Sequence, residues 1–324
     1  GLKLKSAAGC ESIKKAPLKA LQDILNRFSF ADLPGLPPFS GGAVGYLSFE
    51  AVSTWERIRG MNVPDDMILG EYMFCRLIIA MDHLTHSAKL MYLAEIPVTG
   101  AKLDEIYATA AARILEISEL LRSPLQLPSD EPTPAPPAPF PPQSDEKIRQ
   151  NYMDNVLKAK EYIAAGDIFQ VVLSHAFRRP LAEKPFSLYR RLRRINPSPY
   201  MFYINFGDRQ LVGASPEMLV KLQNGQVFTC PIAGTRPRGK NPTEDARLAA
   251  ELLADEKECA EHAMLVDLGR NDIGRISLPG TVNVTKMMEV ENFSHVMHIV
   301  SEVNGTLDPK YAATEVLSAC FPAG

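Results

Sequence analysis

Apolar residues recur every three to four positions in three separate stretches of the chain, at residues 17–28, 103–121 and 145–165. This spacing gathers apolar side chains on one face of an α-helix. The pattern therefore predicts three amphipathic helices. Gly166 directly follows the third stretch. It suits a helix C-terminus, because glycine readily adopts the left-handed conformation found there.

Shorter runs rich in β-branched and aromatic residues, separated by turn residues, predict strands. These runs are residues 41–50, 72–81, 89–94, 167–174, 202–206, 210–214, 218–222, 226–230, 281–286 and 295–305. Asn224-Gly225 separates two of them and is a strong signal for a two-residue hairpin turn. We expect a hairpin within residues 72–94 and an antiparallel meander over residues 201–230.

Residues 255–275 combine helical periodicity with many ionisable groups. Ala260, Met264 and Leu268 recur every four positions, and Ala263 lies beside them. We expect one long helix whose buried face carries this apolar stripe. The remaining positions are largely charged.

Two carboxylates of this helix, Glu258 and Glu261, are three positions apart and therefore lie side by side on its surface. Adjacent like charges destabilise a helix unless a cation lies between them, and Mg²⁺ favours carboxylate pairs that leave room for water. The structural alternative is helix capping, because Asp255 and Glu258 have the spacing of a capping box. The spacing alone leaves both interpretations open.

The composition argues against several classes of protein. The net charge of −3 offers no electrostatic surface for nucleic acid or membrane, and no apolar run approaches the roughly 20 residues that a membrane helix needs. The five cysteines are scattered and form no Cys-x-x-Cys motif. They disfavour a disulfide framework or a zinc site and suit a reducing compartment. We expect a cytoplasmic protein, with a removed organelle-targeting peptide as an alternative because the chain begins at Gly1.

Residues 123–144 are rich in proline, which stiffens the chain and removes backbone donors. This composition predicts an extended linker. We therefore divide the chain into an N-terminal region, residues 1–122, the linker, and a C-terminal region, residues 145–324.

Residues 258–272 read Glu-Cys-Ala-Glu-His-Ala-Met-Leu-Val-Asp-Leu-Gly-Arg-Asn-Asp. This segment resembles the signature helix of the chorismate-utilising enzymes, especially their anthranilate synthase component I branch. The Gly-Asp-x-Phe-Gln motif at residues 166–170 and the Gly-Gly-x-x-Gly-Tyr strand at residues 41–46 strengthen the resemblance. It implies an α+β fold of large, mostly antiparallel β-sheets packed together with helices outside, incomplete at the C-terminus.

The resemblance also implies an activity. Chorismate would be aminated at C2 in a Mg²⁺-dependent reaction, and elimination of pyruvate would give anthranilate, the first step of tryptophan biosynthesis. The Mg²⁺ would hold the ring carboxylate and polarise C2. Ammonia would come from a separate glutamine amidotransferase subunit, because the chain shows no Cys/His glutaminase signature.

The family's functional residues fall on defined positions of this sequence. Glu258 and Glu261 correspond to its Mg²⁺ site, and Gly234 and Thr235 to its substrate-binding Gly-Thr pair. Glu217, in Ser-Pro-Glu, would protonate the departing C4 hydroxyl. From the residues alone, Glu217 would be a solvated loop carboxylate.

His298 corresponds to the active-site histidine of the family, and histidine handles protons near neutral pH. From the residues alone it would be a satisfied core histidine. His295 lies three positions earlier, so on one strand the two side chains would point to opposite faces.

Two positions bear on the product. Ala233 stands where aminodeoxychorismate synthases commonly carry a nucleophilic lysine, and Gln170 stands where water-adding relatives carry a lysine base. Neither residue can do that chemistry, so direct amination at C2 is favoured. The alternatives are an aminodeoxychorismate or isochorismate synthase.

Pro199, Tyr200 and Met201 match the segment that lines the tryptophan feedback site in anthranilate synthases. We expect L-tryptophan as a feedback inhibitor, although the family's Leu-Leu-Glu-Ser motif is missing here. The family continues beyond the Phe-Pro-Ala-Gly at residues 321–324, so we expect this chain alone to be impaired in catalysis. A non-catalytic tryptophan-binding remnant is the third alternative.

Overall fold

The structure is a computed structural model. It describes residues 2–6, 9–13, 15–30, 33–100, 102–124, 146–178, 180–181 and 183–323. The predicted linker at residues 123–144 lies almost wholly outside the described residues. The chain divides into two compact units, Gly1–Arg122 together with Arg191–Gly324, and Ser123–Arg190.

The predicted helices are present. The helices are α1 (Pro17–Leu25), α2 (Leu103–Arg122), α3 (Glu146–Ala165), α4 (Pro185–Ile195), α5 (Pro242–Leu253), α6 (Glu256–Gly274) and α7 (Ala313–Cys320), with a 3-10 helix at Phe49–Thr54. Gly166 has φ +81° at the end of α3, which confirms its predicted role as a helix terminator. None of the described helices is both long and apolar enough to cross a membrane.

The strands pair antiparallel throughout the described residues, as expected for this fold class. They are β1 (Leu2–Ser6), β2 (Gly9–Ile13), β3 (Gly42–Leu47), β4 (Gly70–Cys75), β5 (Leu77–Asp82), β6 (Ser87–Tyr92), β7 (Tyr200–Asn205), β8 (Gln210–Ser215), β9 (Lys221–Gln223), β10 (Gln226–Thr229), β11 (Ile232–Pro237), β12 (Asn283–Asn292) and β13 (Val296–Thr306). Four two-stranded sheets are β1-β2, β3-β4, β5-β6 and β7-β8.

The remaining five strands form one sheet around β13. β12 pairs with one edge of β13, and β11 and β10 follow one another along its other edge, with β9 outside β10. Asn224 and Gly225 have φ +52° and +73° in the turn between β9 and β10. Positive φ at both positions is what a tight hairpin turn requires, and the predicted turn is confirmed.

Two strand predictions were wrong in part, and a third was wrong throughout. Residues 72–81 form two strands, because β4 pairs with β3 while β5 pairs with β6. The meander is split into two hairpins, because β8 pairs with β7 whereas β9 joins the five-stranded sheet. Residues 167–174 form no strand. Strand propensity alone cannot hold such a segment, because a strand needs a neighbour for its backbone hydrogen bonds.

The core lies between the five-stranded sheet and α6. Met297, Ile299, Ser301 and Val303 occupy alternate positions of β13 and are each 0% exposed. One cluster of buried side chains joins β10, α6, β13 and α7, and comprises Val227, Val266, Ile273, Ile276, Val303, Val316, Ala319 and Cys320. The period of two along β13 is that of a strand with one face against a helix.

The buried face of α6 differs from the predicted stripe. His262, Val266 and Ile273 are its buried residues, while Ala260 and Ala263 are exposed. The prediction placed the most apolar residues of the helix against the core. In the structure, the face toward the sheet instead carries His262, Val266 and Ile273. This rotation brings Glu258, one turn before His262, onto the face toward the sheet.

Candidate active site

A bulge in β11 creates the centre of the site. The register between β11 and β13 shifts between Ala233 and Thr235, at Gly234, where φ is +70°. A Cβ atom on Gly234 would lie 3.1–3.3 Å from side-chain atoms of Leu252, Ile299 and Glu258. Glycine therefore allows the Glu258 carboxylate, which would be 3.3 Å from that Cβ, to approach the strand closely.

The side chain of His298, on β13, contacts this bulge. Its Nδ1 lies 2.9 Å from the carbonyl oxygen of Gly234 and 3.1 Å from Oγ1 of Thr235. Because a carbonyl oxygen only accepts, the hydrogen-bond network assigns the proton to Nδ1. Nε2 of the neutral ring then carries the lone pair. The Thr235 hydroxyl can accept from Nδ1–H and donate its own proton elsewhere.

Asp255 forms the N-cap of α6. Its carboxylate accepts hydrogen bonds from the backbone N–H groups of Lys257 and Glu258 at 3.1 and 3.2 Å, and from Arg236 Nη2 at 2.9 Å. The Glu258 N–H and then the Arg236 side chain are the main causes that lower the pKa of Asp255. Asp255 N–H donates to the Leu252 carbonyl oxygen at 3.3 Å, so the reciprocal half of a capping box is not formed.

The proposed metal ligands differ in environment. Glu258 is half-buried beside Gly234, and Glu261 is exposed. Within the described residues, no group of three or more His, Cys, Asp or Glu side chains is arranged to hold a metal ion. A set of two carboxylates fits Mg²⁺, which keeps several waters and takes further oxygens from its substrate. It does not fit a zinc site, which takes three or four protein ligands.

Glu217 lies in the loop between β8 and β9. Desolvation raises the pKa of its carboxyl group, and a hydrogen bond from the Ile232 N–H acts in the opposite direction. Ile232 begins β11, two residues before Gly234. The Glu217 carboxyl group is therefore next to the strand that carries the bulge.

The other predicted site residues lie elsewhere. Ala233 is on β11 opposite Ile299, beside Gly234. Tyr200 and Met201 begin β7, in a different sheet from β11 and β13, and Pro199 directly precedes them. Gln170 lies in the second unit and in no strand.

The prediction that His295 and His298 lie on one strand is wrong. His295 lies before β13 begins, so the two histidines do not share a strand. Its carbonyl oxygen instead accepts a hydrogen bond from the Arg238 N–H at 3.1 Å.

The contacts of Arg238 with Asp245 and Phe293, named here the Arg238 clamp, were not predicted from the sequence. Arg238 donates through Nε and Nη2 to the Asp245 carboxylate at 3.2 and 2.6 Å, and through Nη1 to the Phe293 carbonyl oxygen at 2.8 Å. The Phe293 ring meets the His298 ring edge-on, with centroids 5.2 Å apart. Arg238 thus supports the loop that packs on His298. No spacing rule links residues 238, 245 and 293, so the sequence offers no signal for this contact.

The clamp predicts a pH dependence of stability. The hydrogen bonds from Arg238 and then from Gly239 N–H lower the pKa of Asp245 below its usual 3.8. A carboxylate with a depressed folded-state pKa contributes stability above its unfolded pKa, and the contribution is lost as the pH falls toward the folded pKa. We expect Asp245→Asn to unfold more easily at pH 7 and to lose less stability than the wild type below about pH 4.

Chemical denaturation between pH 7 and pH 3 would check this expectation. Asp65→Asn, at an exposed loop position, is the matched control and should follow the wild-type curve. Equal acid dependence of the wild type and Asp245→Asn would contradict it.

The chain matches a known protein family. Residues 3–324 match the family described as chorismate binding enzyme, and the chain belongs to that family. Its relatives include anthranilate synthase component 1 of Acetivibrio thermocellus, 43% identical over 317 residues, which are 95% of this chain and 62% of the relative. The corresponding protein of Streptomyces coelicolor is 44% identical over 95% of this chain and 60% of its own length.

A solved structure shows the same likeness. Anthranilate synthase component I from Streptococcus pneumoniae TIGR4 superposes with a TM-score of 0.77 and 36% identity, covering 96% of this chain and 67% of that one. The α+β fold expected from the sequence is confirmed. The chain spans about three-fifths of the length of the first two curated relatives.

Proposed function

We propose that the chain is a chorismate-binding portion of an anthranilate synthase component I, acting in the amination of chorismate to anthranilate. The observation that carries the proposal is the bulge at Gly234. It places the Thr235 hydroxyl, the His298 imidazole and the Glu258 carboxylate around Gly234, whose backbone carbonyl His298 contacts. The shared name of the relatives supports the same reaction.

Different groups of the chain would bind the carboxylates of the proposed substrate, chorismate, which is a dicarboxylate. The Thr235 hydroxyl, whose oxygen already accepts from His298, can donate to a substrate carboxylate. Mg²⁺ held by Glu258 and Glu261 would supply positive charge for a carboxylate in the same region.

Proton transfer falls to two side chains. Nε2 of His298 is a base aimed away from the Gly234 carbonyl, and it can take the proton released when pyruvate is eliminated. The carboxyl group of Glu217 has a raised pKa and can protonate a leaving hydroxyl. One base and one acid with different environments are what an elimination requires.

The choice of product rests on two further side chains. Ala233 and Gln170 lack the lysine amine that a covalent or water-activating route would use. We therefore assign direct amination at C2, with ammonia supplied by a separate glutamine amidotransferase subunit. L-tryptophan would bind at Pro199, Tyr200 and Met201 as a feedback inhibitor.

Anthranilate fluorescence tests the reaction. The purified chain, alone and fused to the C-terminal segment of a curated relative, is incubated with chorismate, ammonium salt and Mg²⁺, with and without EDTA. A fluorescent product that disappears with EDTA supports the proposal. Silence of both proteins, or chromatographic recovery of isochorismate or aminodeoxychorismate instead, would contradict it.

The metal assignment predicts the behaviour of two variants. Glu258→Gln and Glu261→Gln each remove one negative oxygen donor, so we expect Mn²⁺ to bind at least about tenfold more weakly. The measurement is titration followed by electron paramagnetic resonance. Glu256→Gln, an exposed position in the first turn of the same helix, is the control. Equal affinity of all three variants and the wild type would remove both glutamates from the metal site.

A further inference from the structure

Two of the three buried polar residues among the described positions bind each other. His262 on α6 and Ser301 on β13 are both 0% exposed, and His262 Nε2 lies 2.7 Å from Ser301 Oγ. His262 Nδ1 has no hydrogen-bond partner within the described part of the chain. Within those residues, the contact with Ser301 is therefore the one polar bond of this buried ring, and it crosses from the helix to the sheet.

Ser301 also holds the adjacent strand. Its Oγ accepts a hydrogen bond from the Met288 N–H at 2.9 Å. Met288 has φ +53°, which is strained for a residue with a side chain, and it lies where the β12–β13 register shifts between Lys286 and Glu289. His262, Ser301 and the Met288 N–H therefore form a three-member link, named here the 262–301–288 link.

The link connects the helix that carries Glu258, α6, to the strand that carries His298, β13. His262 is one helical turn after Glu258, on the same face of α6. Ser301 is three residues after His298 on β13, so its side chain points to the opposite face of that strand. The polar bond thus sets where α6 lies over β13, and with it the place at which Glu258 meets the bulge at Gly234.

A buried hydrogen bond defines a separation more sharply than apolar contacts do, because a lost partner leaves a desolvated polar group behind. Val266, the next buried residue of α6, packs on the same sheet through apolar contacts only. Substitutions of Val266 and of His262 can therefore separate a packing role from a positioning role on the same face of α6.

We propose that His262 is a positioning residue: through Ser301 it fixes the Glu258 carboxylate against Gly234, and so sets the geometry of the metal and substrate site. The part of this proposal that concerns metal rests on the proposed function. The part that concerns the position of Glu258 does not, because it is a statement about two residues of the chain.

The test compares four variants of the full chain. His262→Leu keeps a similar volume without a polar atom, Ser301→Ala removes the hydroxyl, and His262→Gln places an amide near the position of Nε2. Val266→Ala is the matched control for loss of buried volume on the same helix face. Each is measured for thermal stability, for Mn²⁺ affinity, and for the nuclear Overhauser contact between the Glu258 side-chain methylene protons and the Gly234 α-protons.

We expect His262→Leu and Ser301→Ala to lose the Overhauser contact and to bind Mn²⁺ about tenfold more weakly. His262→Gln should retain both properties, and Val266→Ala should lose stability but keep both. An intact Overhauser contact in Ser301→Ala and His262→Leu would overturn the proposal, as would its absence from the wild type. If the wild type binds no Mn²⁺, the metal assignment fails, and the Overhauser comparison still decides the role of His262.

Discussion

His298→Asn is expected to lower the rate of the proposed anthranilate formation by about 10²- to 10⁴-fold, the usual contribution of a general acid or base. The asparagine amide can occupy the place of Nδ1 and donate to the Gly234 carbonyl oxygen, which His298 Nδ1 contacts at 2.9 Å. It places nothing at the position of Nε2. The variant therefore keeps the contact that orients the residue and removes the base.

The initial rate at saturating chorismate measures this effect. It is measured in the chain alone or in the chain fused to the C-terminal segment of a curated relative, whichever is active. Circular dichroism before and after substitution shows that the fold is kept. His295→Asn is the matched control, because His295 is close in sequence but exposed and outside β13. A His298→Asn rate within threefold of the wild type would remove His298 from the proton transfers.

The tautomer can be measured separately. Nitrogen-15 spectra of the histidine rings should show His298 protonated at Nδ1 and unprotonated at Nε2, because Nδ1 faces a carbonyl oxygen. Protonation at Nε2 instead would leave the ring without the base that the proposed elimination uses. This measurement needs neither turnover nor metal.

Ile299→Ala is expected to reduce the free energy of unfolding by about 2–5 kcal/mol. Ile299 is 0% exposed on the central strand and packs with Leu252 and Met297. Removing its side chain loses apolar burial and leaves a cavity that a strand bonded on both edges cannot easily close. Ile299 also lies opposite Ala233, so the cavity would open beneath the bulge.

Urea unfolding gives the value from the shift of the midpoint, provided that the slope with denaturant is unchanged. Ile96→Ala is the control with the same chemical change, because Ile96 is 61% exposed. We expect its effect to stay within about 0.5 kcal/mol. A loss below about 1 kcal/mol in Ile299→Ala would show that the sheet tolerates repacking at its centre.

Local order was readable from the chain wherever one short-range cause decided it. The helices at α1, α2 and α3 follow the period of their apolar residues, and the β9–β10 turn follows from Asn224-Gly225. The strand prediction at residues 167–174 failed because its β-branched residues have propensity but no partner strand among the described residues. The boundary between β4 and β5 failed for a related reason, since each pairs with a different strand.

The helix α6 shows most clearly what the local sequence pattern does not determine. Its residues predicted a helix, and its two glutamates suggested a metal pair. The face that it buries, through His262, Val266 and Ile273, could not be chosen from apolar content. Contact with the sheet selected that face, and it buried a histidine because Ser301 supplies a polar partner at 2.7 Å.

By itself the sequence determined the helices α1, α2, α3 and α6, most strands, the antiparallel α+β class and the motifs that place the chain among chorismate binding enzymes. These are set by side-chain periodicity, turn chemistry and short motifs, which act over a few residues. Only the tertiary structure decided that Gly234, Thr235, Glu258 and His298 meet at one bulge. Those contacts join residues far apart in the chain, and strand pairing and close packing, rather than local propensity, bring them together.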